Sequence, residues 1–141
     1  MLLPYIESIV NLVYPPLCKA CENELPTVEK WICLDCYLNL PLTKFKNFRF
    51  NLATERLEGR FPLIMGYTLL HFEKHSMVQK LIHGLKYKGE RHTGHLLGQL
   101  LGREFVQNHE FKNIDMLVPI PLHTKKQMQR GYNQSECLID I

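Results

Sequence analysis

The sequence lacks a long hydrophobic run and has little net charge, and each absence narrows the class of protein. Its apolar opening, MLLPYIESIVNLVY, carries Pro4 and Glu7 in a stretch too short to span a bilayer, without a basic leader or a small-residue cleavage site. We therefore expect no membrane insertion and a cytoplasmic location. The net charge of +3, from 17 Lys and Arg against 14 Asp and Glu, argues against a dedicated nucleic-acid domain but leaves a local basic face open.

All but one of the five cysteines lie close together near the amino terminus. Without a secretion signal, thiolates are expected rather than disulfides. Cys18 and Cys21 form one CxxC pair, and Cys33 and Cys36 form a second. Two such pairs are typical of a closed, tetrahedral, structural Zn²⁺ site, because four sulfurs leave no open position for a catalytic water. The alternative is four buried cysteines without a metal.

Turn signals and periodicity divide the chain into four parts. Residues 1–16 are predicted to form an amino-terminal helix that two prolines end. Residues 17–41 are predicted to form a zinc ribbon of the double zinc ribbon type. Residues 42–62 lack clean periodicity and are interpreted as a linker that packs through its phenylalanines. Residues 63–141 are predicted to form one α/β domain.

The α/β prediction comes from the alternation of strand and helix patterns. The segment 63–72 is rich in aliphatic and aromatic residues and favours a strand or hairpin. Ser76 is predicted to begin a helix that Gly89 ends, and Thr93 is predicted to cap a second helix. The segment 115–118 is predicted to form a strand. This order of elements is typical of a layered α/β fold.

The stretch LVPIPLHTKKQMQRGYNQS, residues 117–135, joins a predicted strand to a predicted helix through a basic loop. Such loops bind anions in α/β folds, because the helix start offers unpaired amides and a glycine such as Gly131 allows close backbone approach. Lys125, Lys126 and Arg130 add positive charge. A solvated basic turn is the alternative interpretation.

Three motifs follow the cysteine pairs in a recognisable order. LIHGLKYKGE at 81–90, VPIPLH at 118–123 and RGYNQS at 130–135 together resemble the ComF family, the competence protein F type of phosphoribosyltransferase-like protein. That family also carries an amino-terminal paired-CxxC ribbon. The resemblance covers nearly the whole chain and implies an association with DNA uptake during natural transformation.

The resemblance implies a type I phosphoribosyltransferase fold, Rossmann-like, and an enzyme class of glycosyltransferase. It implies that a complete protein binds phosphoribosyl pyrophosphate together with Mg²⁺. On this chain, the residues that match the motif and are implied to contact the pyrophosphate are Val118, Pro119, Ile120, Pro121, Leu122, His123, Arg130, Gly131, Asn133 and Gln134. Arg130 is the preferred phosphate contact, because guanidinium binds phosphate through two hydrogen bonds. Lys86 and Tyr87 are further candidates for phosphate or DNA contact.

The sequence departs from the family where an acidic segment of the form Asp-Asp-x-x-Thr-Thr-Gly is expected to hold the ribose. Residues up to Ile141 do not contain this segment. The chain is therefore expected to be either part of a longer protein or a truncated relative. Alone, it is expected to be inactive in phosphoribosyl transfer.

A function of another class is a module that binds single-stranded DNA or serves as a scaffold for DNA-uptake proteins. Lys80, Lys86, Lys88 and Arg91 can line a basic face beside Tyr87, and cationic and aromatic residues side by side suit single strands. The alternative interpretation of these residues, which we favour on composition, is a solvated helix end.

Three further residues or motifs have both a structural and a chemical interpretation. His123 is interpreted as a turn cap rather than a catalytic base, because no partner that would orient it is evident. The HTGH motif at 92–95 is interpreted as a solvated helix start rather than a metal site. Cys137 is interpreted as a small buried apolar residue rather than a reactive thiol.

Overall fold

The computed structural model describes residues 10–11, 13–26, 31–60 and 62–140, apart from the side chain of Asn113. Its helices in this part of the chain are α1 (Leu34–Leu38), α2 (Leu52–Leu57), α3 (Met77–Tyr87), α4 (Arg91–Gln107), a 3-10 helix (His109–Asn113), α5 (Thr124–Arg130) and α6 (Gln134–Ile139). The predicted helix at 1–16 lies largely outside the described residues. Within that range, Val10, Asn11 and Val13 are helical.

β-structure in the described residues is confined to two isolated antiparallel bridges, Leu17 with Glu24 and Leu42 with Leu70. The segment 63–72, predicted as a strand or hairpin, contains only the bridge residue Leu70, and the segment 115–118, predicted as a strand, is not assigned as one. A β-strand needs a ladder of hydrogen bonds to a neighbour, and the described residues provide no ladder for either segment. The sheet expected from the sequence is therefore not found among the described residues, which form a mainly helical body.

Helix α3 begins where the sequence predicts. The Ser76 side chain accepts a hydrogen bond from the amide of Gln79 at 3.4 Å, which satisfies one of the unpaired donors at the helix start. Val78, Leu81 and Leu85 recur on one buried face. Gly89 follows the helix with a φ of 70°, a left-handed conformation that glycine adopts without steric cost.

Helix α4 begins earlier than predicted. Thr93 lies inside its first turn and is only 2% exposed, so the prediction of Thr93 as the cap is wrong. Glu90 occupies the capping position without a side-chain cap bond. Its carboxylate lies instead 3.3 Å from the ammonium nitrogen of Lys19, so a long-range ion pair has replaced the local signal on which the prediction depended.

Two hydrophobic clusters meet along α3. The larger cluster joins Leu81 to the amino-terminal cysteine segment, and its buried members are Cys18, Ala20, Leu25, Cys36, Leu40 and Leu81. The smaller cluster consists of Leu85, Tyr132 and Cys137. Because Leu81 and Leu85 are one helical turn apart, α3 connects the cysteine segment to α6.

The predicted linker at 42–62 contains a helix that the sequence interpretation missed. Asn51 caps α2 by accepting hydrogen bonds from the amides of Ala53 and Thr54 at 2.8 and 3.1 Å. Of the phenylalanines expected to pack, Phe48 is buried but Phe50 is exposed. Phe45 is partly buried and contacts the Tyr67 ring edge-on, and Phe61 lies outside the described residues.

No helix in the described ranges combines the length and the apolar character that crossing a membrane requires.

Candidate functional site

The first cysteine pair is held by a tight turn. The amide of Cys18 donates to the carbonyl of Asn23 at 2.8 Å, and the amide of Glu22 donates to the carbonyl of Cys18 at 2.8 Å. Glu22 has a φ of 69°, so the chain reverses immediately after Cys21. This local geometry turns the Cys18 and Cys21 side chains toward the same point.

The second cysteine pair lies at the start of α1. Cys33 is the capping residue of this helix, and its sulfur accepts a hydrogen bond from the amide of Cys36 at 3.4 Å. A backbone hydrogen bond of 2.9 Å from the amide of Lys19 to the carbonyl of Trp31 joins the two turns. The two CxxC segments therefore form one unit.

The four cysteine sulfurs converge as the spacing predicts. The Sγ atoms of Cys18, Cys21, Cys33 and Cys36 all lie within 4.8 Å of one another, and those of Cys21 and Cys33 are 3.8 Å apart. A tetrahedral zinc with bonds of about 2.3 Å places its sulfurs about 3.8 Å apart. The predicted convergence is confirmed, and the cluster has the size and donor set that can hold a metal ion such as Zn²⁺.

Backbone amides prepare the Cys18 sulfur to carry negative charge. It accepts hydrogen bonds from Ala20 at 3.4 Å and from Cys33 at 3.3 Å. Burial raises the pKa of this thiol, but hydrogen bonds from the amides of Cys21, Cys33 and Ala20 outweigh burial and lower the pKa to about 6. Cys18 therefore ionises before Cys33 and Cys36, whose pKa values are raised.

Two neighbouring thiols resist ionisation. Burial is the main factor that raises the pKa of Cys36. The amide of Cys36 lowers the pKa of Cys33, but burial and the sulfurs of Cys18 and Cys21 raise it by a larger amount. The pKa of Cys33 is therefore raised overall. Four crowded sulfurs cannot share several negative charges without a cation, and a bound divalent metal ion would supply the compensating positive charge.

The cysteine unit is docked on the helices and shares a core with them. Glu22 pairs with Lys80 of α3 at 3.3 Å, and Lys19 pairs with Glu90 at 3.3 Å. The ring of Trp31 stacks on that of His92 in α4, with centroids 3.6 Å apart. His92 of the HTGH motif is therefore part of the docking contact.

The motifs at 118–123 and 130–135 are joined by one side chain. The amide nitrogen of the Asn133 side chain donates to the carbonyl of Ile120 at 3.1 Å, while its oxygen accepts from the amide of Ser135 at 3.1 Å and caps α6. Gly131 has a φ of 76°, which lets the chain turn between α5 and α6. The VPIPLH and RGYNQS segments thus form one substructure.

Arg130 is held in place by its own motif. Its guanidinium donates to the side-chain oxygen of Gln134 at 2.6 Å and lies 5.4 Å from the centre of the Tyr87 ring. Gln134 in turn donates to the carbonyl of Tyr132 at 3.2 Å. Arg130 and Tyr87 are therefore adjacent, whereas Lys86 is exposed on α3.

The turn of the VPIPLH motif is largely open to solvent. Val118 is 70% exposed and Ile120 is 77% exposed; Pro121 is also exposed, and Pro119 and Leu122 are partly buried. The His123 side chain accepts a hydrogen bond from the amide of Lys125 at 3.3 Å and caps α5. Because His123 already accepts the hydrogen bond of the Lys125 amide, that amide is not available to an anion. An anion at this turn would instead meet the other backbone groups and the exposed side chains of Lys125 and Lys126.

A polar cavity of about 630 Å³ lies between the first cysteine turn and α3. Its lining includes Lys19, Glu22, Lys80, His83, Lys88 and Glu90. The two ion pairs described above pair both of these carboxylates with lysines. One side of this cavity is lined by the side chains of Lys80, His83 and Lys88. Tyr87 lies next to it, because the centres of the Tyr87 and His83 rings are 4.6 Å apart.

Sequence reasoning missed the roles of Tyr132, Glu90 and Trp31. Tyr132 lies in the motif, yet it is buried and its hydroxyl donates to the carbonyl of Leu85. An isolated tyrosine between Gly131 and Asn133 gives no local signal for such a contact. Glu90 and Trp31 act through partners distant in sequence, and periodicity cannot reveal those partners.

Comparison of the chain with protein families, with curated proteins and with solved structures finds no match.

Proposed function

We propose that this chain is the amino-terminal part of a ComF-type, phosphoribosyltransferase-like protein, in which a structural zinc ribbon supports a pyrophosphate-binding loop. The proposal rests on the quoted motifs, on the convergence of the four cysteine sulfurs and on the joined loop. A completed protein would bind phosphoribosyl pyrophosphate and act in DNA uptake.

The observation that carries the proposal is the hydrogen bond between Asn133 and the carbonyl of Ile120. Two motifs that the sequence separates by a basic helix become one surface, and the lysines of that helix, Lys125 and Lys126, are exposed next to it. Backbone groups of an open turn together with cationic side chains are the groups that bind phosphates.

The proposed zinc is structural. Four thiolates complete its coordination and leave no position for a substrate or water. Bound zinc would supply the charge that allows the four sulfurs to ionise together, and it would hold the two cysteine turns against α3. The residues Cys18, Cys21, Cys33 and Cys36 would hold it.

The proposed ligand contact is a partial one. Arg130 and the backbone at 118–123 would contact the diphosphate, and Mg²⁺ would accompany that diphosphate. The acidic segment that would hold the ribose is not part of this sequence. We therefore expect weak binding dominated by the diphosphate, and no phosphoribosyl transfer by this chain alone.

Calorimetry tests this proposal. Phosphoribosyl pyrophosphate and inorganic pyrophosphate are titrated into the chain with and without Mg²⁺. Both should bind weakly and with similar affinity. Arg130→Ala should weaken binding more than His123→Ala, because His123 caps α5 whereas Arg130 offers two charged donors. Tight binding of phosphoribosyl pyrophosphate alone, or equal effects of the two substitutions, would contradict the half-site.

Single-stranded DNA binding is a second candidate, and one observation favours it. Tyr87 is 62% exposed and has His83 on one side and the Arg130 guanidinium over its ring. Lys88 lines the adjoining cavity, whereas Lys80, two helical turns before Tyr87, is paired with Glu22 at 3.3 Å. Stacking and phosphate neutralisation could therefore act together on one strand.

The geometry also narrows the predicted basic face. The Arg91 guanidinium lies 4.7 Å from the centre of the Tyr132 ring, so Arg91 is engaged in the loop contact. A titration with single-stranded DNA at two salt concentrations tests the remaining face. Tyr87→Ala should lower affinity, while Tyr14→Ala, which removes another exposed tyrosine, should not. Binding that is absent at low salt would exclude this function.

A further inference from the structure

The cysteine unit and the 131–134 turn contact the same helix from two directions. Leu81 of α3 is 1% exposed and packs with Cys18 and Cys36. One turn later, Leu85 packs with Tyr132 and Cys137 and accepts the hydrogen bond from the Tyr132 hydroxyl. An apolar path therefore runs from the sulfur cluster along α3 to the turn.

A polar path runs parallel to it. Lys19, next to Cys18 in sequence, pairs with Glu90 at 3.3 Å. The neighbouring residue, Arg91, donates to the carbonyl of Gly131 at 3.4 Å and lies over the Tyr132 ring. The first cysteine turn thus restrains Glu90 through Lys19. Arg91, next to Glu90 in sequence, contacts the 131–134 turn.

Both paths depend on a segment that has little core of its own. A four-cysteine unit of this size gains most of its folding free energy from the bound metal. Removal of the metal therefore leaves the segment largely unfolded. Leu81 would then lose its cysteine neighbours, and Glu90 would lose Lys19. The restraints on Leu85 and Arg91 would weaken, although neither residue touches the metal.

We propose that metal occupancy of the four-cysteine site controls the order of the 131–134 turn, through α3 and the Lys19–Glu90 ion pair. This inference rests on the metal-binding part of the proposed function and requires neither phosphate nor DNA binding. Measuring zinc content first separates the two: a chain without zinc refutes the metal site, whereas the exchange experiment below tests the coupling.

Hydrogen exchange of the full chain, compared before and after chelation of zinc, tests the coupling. The hydrogen-bonded amides of 131–139 should exchange about tenfold faster or more in the metal-free chain, and adding zinc back should restore their protection. The amide of Gly66, which donates to the carbonyl of Phe48 at 3.1 Å, serves as a reference, because these partners belong to neither path. Its exchange should change little.

A matched pair of glycine substitutions tests the polar path with zinc still bound. A Cβ at Gly84 would lie 2.0 Å from Oε2 of Glu90, whereas a Cβ at Gly102 meets nothing within 4 Å. Both glycines lie inside helices, so Gly84→Ala and Gly102→Ala gain similar intrinsic helix propensity. Only Gly84→Ala must displace the carboxylate from Lys19, and it should speed exchange at 131–139 several-fold.

Three results would overturn the proposal. Unchanged exchange at 131–139 after chelation would show that the turn is independent of the metal. Equal acceleration at Gly66 would show global unfolding rather than a defined path. Equal exchange in zinc-loaded Gly84→Ala and Gly102→Ala would remove Glu90 from the coupling.

Discussion

The Tyr132 hydroxyl donates a hydrogen bond to the carbonyl of Leu85 in the last turn of α3. Carbonyls at the end of a helix have no partner within the helix, so Tyr132 satisfies an acceptor that would otherwise be buried without a donor. Burial is the main cause that raises the pKa of this tyrosine above its ordinary value. The hydroxyl therefore keeps its proton for the hydrogen bond at neutral pH.

Tyr132→Phe should destabilise the chain by about 1–3 kcal/mol, because it leaves a buried carbonyl unsatisfied while keeping the ring. Urea denaturation followed by circular dichroism measures this change. Tyr14→Phe is the control, since Tyr14 is exposed and should change stability by less than about 0.5 kcal/mol. Equal stability of the two variants would mean that the hydrogen bond contributes nothing.

Gly94→Ala tests the contact between α4 and α6. A Cβ at this position would lie 2.6 Å from Cβ of Cys137 and 3.1 Å from a methyl carbon of Leu85. We expect a loss of about 1–3 kcal/mol in the free energy of unfolding, because the backbones must separate. Gly102→Ala should instead be neutral or stabilise by up to about 1 kcal/mol, since that site is open.

A stabilising effect of Gly94→Ala in the same urea experiment would contradict the close α4–α6 approach.

Cys137→Ser keeps nearly the same volume at the contacting position. It should therefore destabilise through burial of a hydroxyl rather than through steric overlap, and combining it with Gly94→Ala should not relieve the overlap at Cβ.

Local signals predicted the parts of the fold that depend on near neighbours. Ser76 and Gly89 bound α3 as the sequence indicates, and the CxxC spacing predicted the convergence of the sulfurs. Capping, turn conformation and each single CxxC pair involve residues within a few positions of one another, and the two pairs are separated by only 12 positions between Cys21 and Cys33. These features can therefore be predicted without the tertiary structure.

Features that depend on distant partners were not predictable in this way. The aliphatic segment at 115–118 has strand propensity, but propensity does not provide a neighbouring strand, and the described residues leave it unpaired. Helix α4 begins at Arg91 rather than at Thr93, because Glu90 pairs with Lys19 from the cysteine unit. The docking of that unit on α3 and α4 likewise depends on contacts between residues far apart in sequence.

The metal affinity should fall as the pH falls. Without metal, the pKa values of Cys33 and Cys36 are raised, so these thiols must lose protons when the metal binds. Metal binding that releases at least one proton weakens by about tenfold or more for each pH unit of acidification. Competition with a chromophoric zinc chelator between about pH 8 and about pH 6 measures this dependence. An affinity independent of pH would contradict thiolate ligation.

Elemental analysis of the full chain, purified without added metal, tests the central claim most directly, with the cysteine variants as controls. Cys36→Ser removes one of the four converging sulfurs, whereas Cys137→Ser removes the cysteine that packs with Leu85 and Tyr132. We predict one zinc per chain in the unmodified protein and in Cys137→Ser, with a large loss in Cys36→Ser. A folded chain without metal, or equal zinc content in the two variants, would contradict the four-cysteine site.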